Sequence, residues 1–514
     1  MHKTHQPKIL TQTKHGVIAD FGETISGFID ITFTSNAQKK VTIVYSEGIL
    51  HDKINFESSF AGSVGLKRGN NRVSGGRGAP AKGEQKDIIY TKTGKNHFRN
   101  KFCYHSFRFA VISGITSDEI QGVSAMNVHT NLQQIGQIYT DNWWLNELFA
   151  ASVKTRLNNT HSVFEDCARE RFGYGGDMVA LASANLFTFD LERFNKKVLK
   201  DFRFKQTESG GIPETAPFMG IQTNGTGEGE GPILWQLVYP YLLYKHVQFY
   251  GDMQFLEQEY PYVRKQLNYL LTWPLEKIAE KCIGDHGSPL IEGDFRSSTP
   301  DKQFLGYCTL LLFLKYSILL RVYLKKDTQQ LKEKYHQVEQ VIMRTFENED
   351  GTFGDKTQSS FVFALFLELG DSKRLLDKFE KKVVADDYIF NSGIFGMSLS
   401  YDVLHRFGKS YLVEKWLTQS SQISFRTMLG NGNQVLAELF FGEEYSLNHA
   451  MFASYAQWYF EALAGIRLSE QAIAGNKIIL QPYFAETVDS FESNLKLKQG
   501  MIVVNWRKII QQMK

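Results

Sequence analysis

At 514 residues, 42% hydrophobic and 22% charged, the chain has globular composition and length for one large domain with smaller companions, which excludes a disordered polymer. A formal net charge of +3 from 58 basic and 55 acidic residues gives no polyanion-binding balance, so nucleic acid is not an expected partner. The four cysteines, Cys103, Cys167, Cys282 and Cys308, lack CxxC or Cys/His spacing and read as free thiols, with no zinc site and no disulfide framework.

The N-terminus, Met1-His2-Lys3-Thr4-His5, lacks the apolar stretch of a signal peptide. No later segment reaches the roughly 20 uninterrupted apolar residues of a membrane span. No membrane partner is expected, and the chain as given reads as soluble and cytoplasmic, or periplasmic or secreted if a leader precedes this numbering.

From Gly16 to about Asn127 the apolar period is two. Ile29, Ile31 and Phe33 alternate with Asp30, Thr32 and Thr34, and Phe107, Phe109 and Val111 alternate with Arg108 and Ala110, which predicts a β-sandwich. Between these strands lies a glycine-rich segment, Gly62 to Lys86, containing Lys67, Arg68, Arg72 and Arg77. It reads as a solvated loop, with a grip on an acidic polysaccharide as the alternative.

After Asp141 the period becomes helical, with Trp144, Leu148 and Ala151 on one face and Asp141 or Asn142 placed to cap. Helices then stop repeatedly at a glycine followed by a charge, at Gly251-Asp252, Gly370-Asp371 and Gly408-Lys409, as stacked hairpins do. Such hairpins close into a toroid or stack as an open solenoid. Past Gly475 the strand pattern returns at Lys477-Ile478-Ile479-Leu480 and Gly500-Met501-Ile502-Val503-Val504-Asn505-Trp506, too short a stretch to bury its own core.

One segment departs from all of this: Phe164-Glu165-Asp166-Cys167-Ala168-Arg169-Glu170-Arg171-Phe172-Gly173-Tyr174-Gly175-Gly176-Asp177. It gathers four carboxylates, two guanidiniums and three aromatic rings where three glycines oppose regular structure. Carboxylates beside arginines bind hydroxyls bidentately, and a carboxyl in a drier spot keeps its proton for general acid work.

These residues resemble the α-L-rhamnosidases of glycoside hydrolase family 78, whose catalytic loop reads approximately Asp-Cys-Pro-x-Arg-Glu-Arg-Leu-Gly-Tyr/Trp-Gly/Thr-Gly-Asp. The resemblance continues at Ala19-Asp20-Phe21-Gly22, at Cys103-Tyr104-His105-Ser106-Phe107-Arg108-Phe109, and at Tyr445-Ser446-Leu447-Asn448-His449-Ala450-Met451-Phe452 followed by Leu463-Ala464-Gly465-Ile466, the last pair similar to the family's final barrel helix. It implies a multidomain α and β chain. Residues 1–130 would form an N-terminal β-sandwich, 131–468 an (α/α)6 barrel catalytic domain, and 469–514 a short C-terminal β-strand module that stops before its final strand.

The activity implied is inverting, exo-acting release of terminal α-L-rhamnose, with a rhamnose-containing carbohydrate as partner and no cofactor or metal. One carboxylic acid protonates the leaving oxygen while a carboxylate across the site, roughly 6.5–9.5 Å away, activates water. By position these would be Glu170 and Glu438. Glu165, Asp166, Arg169, Tyr174, Asp177, Trp235, Asp285 and His449 would bind substrate.

The chain departs from the family at Glu165-Asp166-Cys167-Ala168, which is one residue short if Asp166 is matched, so either Glu165 or Asp166 faces the pocket. It departs again at Gly432-Asn433-Gln434-Val435-Leu436-Ala437-Glu438, which lacks the family's aromatic beside the base and makes Glu443 or Glu444 a rival. Related-sugar specificity and a non-catalytic sugar binder are the alternatives.

Two bland readings stand beside these. Asp177 reads as an N-cap as readily as a ligand, and Trp235 packs in a core by default. Two arginines beside Glu170 would depress an acid that needs its proton, so at least one guanidinium is expected to turn towards Glu165 or Asp166.

Overall fold

The structure is a computed structural model that describes residues 3–50, 53–55, 67–68, 71–72, 84–289, 302–430, 432, 434–440 and 445–509. Two compact units emerge from its internal contacts: residues 1–131, 150–172 and 425–450 form the first, and 132–149, 173–424 and 451–514 the second. Arg77, the side chains of Lys67, Arg68 and Arg72, and Glu443 and Glu444 lie outside the described residues.

The first unit is organised by one twenty-residue strand, Gly16–Ser35. Its early half pairs with Ile9–Thr13 and His105–Ser113, and its later half pairs with Gly94–Arg99 and Ile120–Asn127. A strand this long serves two sets of neighbours. Ile29, Ile31 and Phe33 are fully buried with Phe21, Ile25 and Tyr45 in one cluster, as their alternation predicts.

His105–Ser113 departs from its alternation. The register against Gly16–Ser35 shifts between Phe107 and Phe109. A bulge changes which face the next residues present. Phe107 therefore joins the core cluster together with Ala110 and Ile112, while Phe109 and Val111 are buried outside it. The sequence pattern had placed Phe107, Phe109 and Val111 together.

The second unit is helical, and two kinds of helix alternate along it. Gly175–Thr188, Val238–Tyr250, Lys302–Tyr323, Gln358–Phe366 and Ile394–Arg406 are buried along most of their length. The helices that follow them, such as Glu192–Phe204 and Gln329–Phe346, bury one stripe only. Each inner helix touches the next, and Ala453–Tyr455 touches both Ile394–Arg406 and Gly175–Thr188, so the inner ring closes. This is an (α/α)6 barrel, and an open solenoid is excluded. Lys302–Tyr323 is long and apolar enough to cross a membrane by length and composition, but most of its apolar surface is buried inside the protein.

The turns follow from their residues. Gly251 (φ 69°) and Gly370 (φ 62°) take left-handed backbone that costs other residues energy. Asp252 and Asp371 then accept amide hydrogens of the next helix from Phe255, and from Lys373 and Arg374. Asn142, rather than Asp141, caps Trp143–Asn158 by accepting from Trp144 and Leu145. The C-terminal strands Ser490–Leu497 and Gly500–Arg507 form a three-stranded antiparallel sheet with Gly136–Thr140, and Ile478–Leu480 pairs with Ile466–Leu468.

Candidate active site

Within the first unit, the segment Phe164 to Phe172 closes on itself. The Asp166 amide donates to the Phe172 carbonyl at 2.9 Å, and Asp166 Oδ1 accepts the Phe172 amide at 3.0 Å. Arg171, with φ 69°, sits at the turn and donates its amide to Cys167 O. Glu165 and Asp166 are both buried, and they are held differently. Glu165 takes the Tyr104 hydroxyl and lies 3.1 Å from His161 Nδ1, whose ring stacks on Tyr104. Asp166 Oδ2 accepts from the Cys167 thiol, and Cys167 bridges to His449. Asp166 is thus the acid grouped with His449, while Glu165 is bound into the sheet side of the unit.

The two guanidiniums separate. Arg171 lies over the Tyr104 ring at 4.2 Å and donates to Ala168 O and Tyr104 O. Arg169 donates through Nη2 to Glu438 Oε2 at 2.9 Å. Arg171 thus turns to Tyr104, whose hydroxyl Glu165 holds, and Arg169 turns to Glu438. Tyr104 and His161 already occupy Glu165, the loop's own amide occupies Asp166, and Arg169 finds its carboxylate on a distant segment.

Glu438 is fixed by backbone as well. Its amide donates to Ser446 O at 2.8 Å, and its Oε2 accepts the Ser446 amide at 3.1 Å. Burial opposes its ionisation, but Arg169, His449 and the Ser446 amide together outweigh burial and hold the carboxyl below its usual range. The Arg169 guanidinium also feels the charges of Glu170 and Glu47, and the Cys167 thiol feels Asp166, Glu170 and Glu438. Glu170 and Glu438 therefore belong to one charged cluster in this unit.

Glu47 is the residue that sequence reasoning missed. It is fully buried, accepts the Leu447 amide at 2.7 Å and the Ser446 hydroxyl at 3.1 Å, and so anchors the turn that grips Glu438. Burial pushes its carboxyl up to about 7, against the opposing pull of Ser106, Arg169, Leu447 and Ser446. Ser446 and Asn448 are held by Glu47 and Ser106, and His449 precedes the helical turn that begins at Ala453.

Asp166, Cys167 and His449 each bring one ligand atom within 4.8 Å of the others. Burial, and then the charge of Asp166, push the Cys167 thiol well above its ordinary range.

The remaining expected residues lie in the second unit. Tyr174 is the N-cap of Gly175–Thr188 by backbone, and Asp177 occupies its first turn, so Asp177 is not the cap. Its charge still favours a helix N-terminus. A Cβ on Gly176 would lie 2.5 Å from the Trp235 indole, so glycine is what lets that helix approach the ring. Trp235 is 3% exposed and meets Phe395 and His286 edge to face. Asp285 is 1% exposed and accepts from the Ser359 hydroxyl and from the Phe395 and Gly396 amides. It anchors the start of Ile394–Arg406, and burial raises its carboxyl to about 6 against those hydrogen bonds.

Comparison with known proteins matches residues 133–463 to the bacterial alpha-L-rhamnosidase 6 hairpin glycosidase domain and residues 11–130 to the bacterial alpha-L-rhamnosidase concanavalin-like domain. An alpha-L-rhamnosidase of Formosa agariphila is 24% identical over 95% of the chain and 52% of its own length. One from Streptomyces avermitilis is 22% identical over 97% of the chain and 47% of its own length. The chain spans about half the length of the curated relatives it matches. Among solved structures, the alpha-L-rhamnosidase from Dictyoglumus thermophilum superposes with a TM-score of 0.83 at 23% identity, over 99% of this chain and 56% of that one. The Streptomyces avermitilis alpha-L-rhamnosidase complexed with L-rhamnose also gives 0.83, at 20% identity over 99% and 48%.

Proposed function

Because the chain belongs to the family of bacterial α-L-rhamnosidases with a six-hairpin glycosidase domain, we propose that it hydrolyses terminal α-L-rhamnosidic bonds with inversion, Glu170 serving as general acid and Glu438 as general base. The observation that carries this reading is the Arg169 contact to Glu438. It keeps one carboxylate of the cluster ionised, as a base must be, while Glu170 is the neighbouring acid left for proton donation.

In the reaction, Glu170 transfers its proton to the glycosidic oxygen as the C1–O bond breaks. Glu438 takes a proton from the water that attacks C1 from the opposite face, which releases the sugar with inverted configuration. Positive charge develops on C1 and the ring oxygen, and the carboxylate of Asp166 favours it. His449 would hold a ring hydroxyl. Trp235 and Asp285 are both deeply buried, so the role proposed for them runs through the packing of the second unit. The base loop lacks the family's aromatic neighbour, so the ring is gripped less on that side.

Proton NMR of 4-nitrophenyl α-L-rhamnoside hydrolysis tests the reading. The β-anomer of L-rhamnose is expected first. The α-anomer first, or turnover of other glycosides with the rhamnoside untouched, would overturn it.

A further inference from the structure

The inner helices of the second unit run from one end of the ring to the other. Asp177 and Phe395 lie in first turns, at the end where Asp285 anchors Ile394–Arg406. At the opposite end, residues late in these helices, including Phe187, Gln248, Phe249, Asp402 and Arg406, line a second cavity of about 340 Å³. A small pocket of about 30 Å³, lined by Leu234, Leu312, Phe363 and Phe395, adjoins it and shares Tyr241, Tyr316, Ser398 and Leu399 with it. The segment after Ile466–Leu468 borders the cavity. Gln248 Nε2 donates to Ser469 O at 2.9 Å, and the Tyr244 hydroxyl donates to Glu470 O at 3.1 Å.

The polar lining is incomplete. Glu461 is 8% exposed, and its Oε2 has no hydrogen-bond partner among the described residues. The same holds for Oε1 of Gln457 and of Gln248, each 3% exposed, and for the donor Nη2 of Arg406. Buried polar atoms are otherwise nearly always paired. The charges, in contrast, largely cancel: Lys315 pairs with Glu470 at 2.7 Å and Arg406 with Asp402 at 3.1 Å. Burial, and then the charge of Asp402, raise the Glu461 carboxyl above its ordinary range.

Unsatisfied acceptors beside an unsatisfied donor in a charge-balanced chamber match a group that does both, which is a hydroxyl. Tyr241, Tyr244 and Tyr316 add ring faces for the C–H surface of such a molecule. The volume falls within the range of small-molecule pockets, about 300–1,000 Å³. We propose that this second cavity binds a neutral polyhydroxylated molecule of monosaccharide size. The proposal does not depend on the hydrolytic reading, because Glu461, Gln457, Gln248 and Arg406 take no part in it.

Equilibrium dialysis of the full chain against labelled L-rhamnose, D-glucose and glycerol tests it, with Glu461→Leu and Gln457→Leu as variants. At least one probe is expected to saturate a site in the unaltered chain that each variant weakens by roughly tenfold or more, with the rate on 4-nitrophenyl α-L-rhamnoside unchanged. If the hydrolytic reading alone fails, that rate is absent but the variant-sensitive site remains. If Glu461→Leu fails to fold, Gln457→Leu decides. Equal binding of all three probes by the unaltered and variant chains, or no saturable binding, would overturn the proposal and leave the cavity to water.

Discussion

Arg169 Nη2 lies 2.9 Å from Glu438 Oε2, joining residues 269 apart in sequence, with 8% of the arginine side chain and 21% of the glutamate exposed. A carboxylate so paired stays ionised to lower pH than an isolated one. The limb of the activity profile that falls towards acid, where the base takes up its proton, is set by this contact. Arg169→Lys keeps the charge but loses the planar fork. It is expected to raise the Glu438 carboxyl and move the acid limb to higher pH, and kcat/KM measured between pH 4 and pH 9 checks this.

Glu47 carries a second pH dependence, in stability. Its folded carboxyl sits at about 7, above the ordinary value of 4.5. A raised value means the folded state holds the proton more tightly, so the contribution is full below about 4.5 and is lost as pH rises through 7. A shift of that size corresponds to about 3 kcal/mol. Glu47→Gln, which keeps the shape and cannot ionise, is expected to remove this slope, so that the variant gains on the unaltered chain between pH 5 and pH 8. Urea unfolding at the two pH values measures it.

Asp285 is expected to act through stability. Its carboxylate binds two amides at the start of Ile394–Arg406 and the Ser359 hydroxyl. Asp285→Ala leaves those donors buried without an acceptor, at a cost of about 1–3 kcal/mol. A lowered thermal midpoint with KM little changed is the expected result, and an unchanged midpoint with a raised KM would make Asp285 a substrate contact.

Trp235 gives a parallel case. Buried under Gly176 and against Phe395, it is expected to lose about 3–5 kcal/mol on replacement by alanine. Gly176→Ala, whose new methyl meets the indole, is expected to destabilise as well. Thermal unfolding of both variants checks the pair.

Much of the fold was legible because it rests on local rules. The two-residue period at Ile29, Ile31 and Phe33, the Gly251-Asp252 and Gly370-Asp371 turns, and the cap at Asn142 all act within a few residues. The bulge after Phe107 was not legible, since nothing in His105-Ser106-Phe107-Arg108-Phe109 marks which residue lacks a cross-strand partner. The carboxylate-rich loop declared itself by composition, and the family likeness pointed to the acids proposed for it. Their partners were hidden, because Arg169 reaches Glu438 and Glu47 reaches Ser446 only through tertiary folding, at separations of 269 and 399 residues. Asp285 and Trp235 looked like pocket residues in sequence and are buried because helix ends and glycine contacts take up their side chains.

The most direct test is release of nitrophenol from 4-nitrophenyl α-L-rhamnoside by the unaltered chain, Glu170→Gln and Glu438→Gln, each shown to be folded by circular dichroism. Turnover by the unaltered chain is expected, with a fall of about 10²–10⁴-fold in each variant. Near-native turnover in either folded variant would contradict the assignment of that carboxylate.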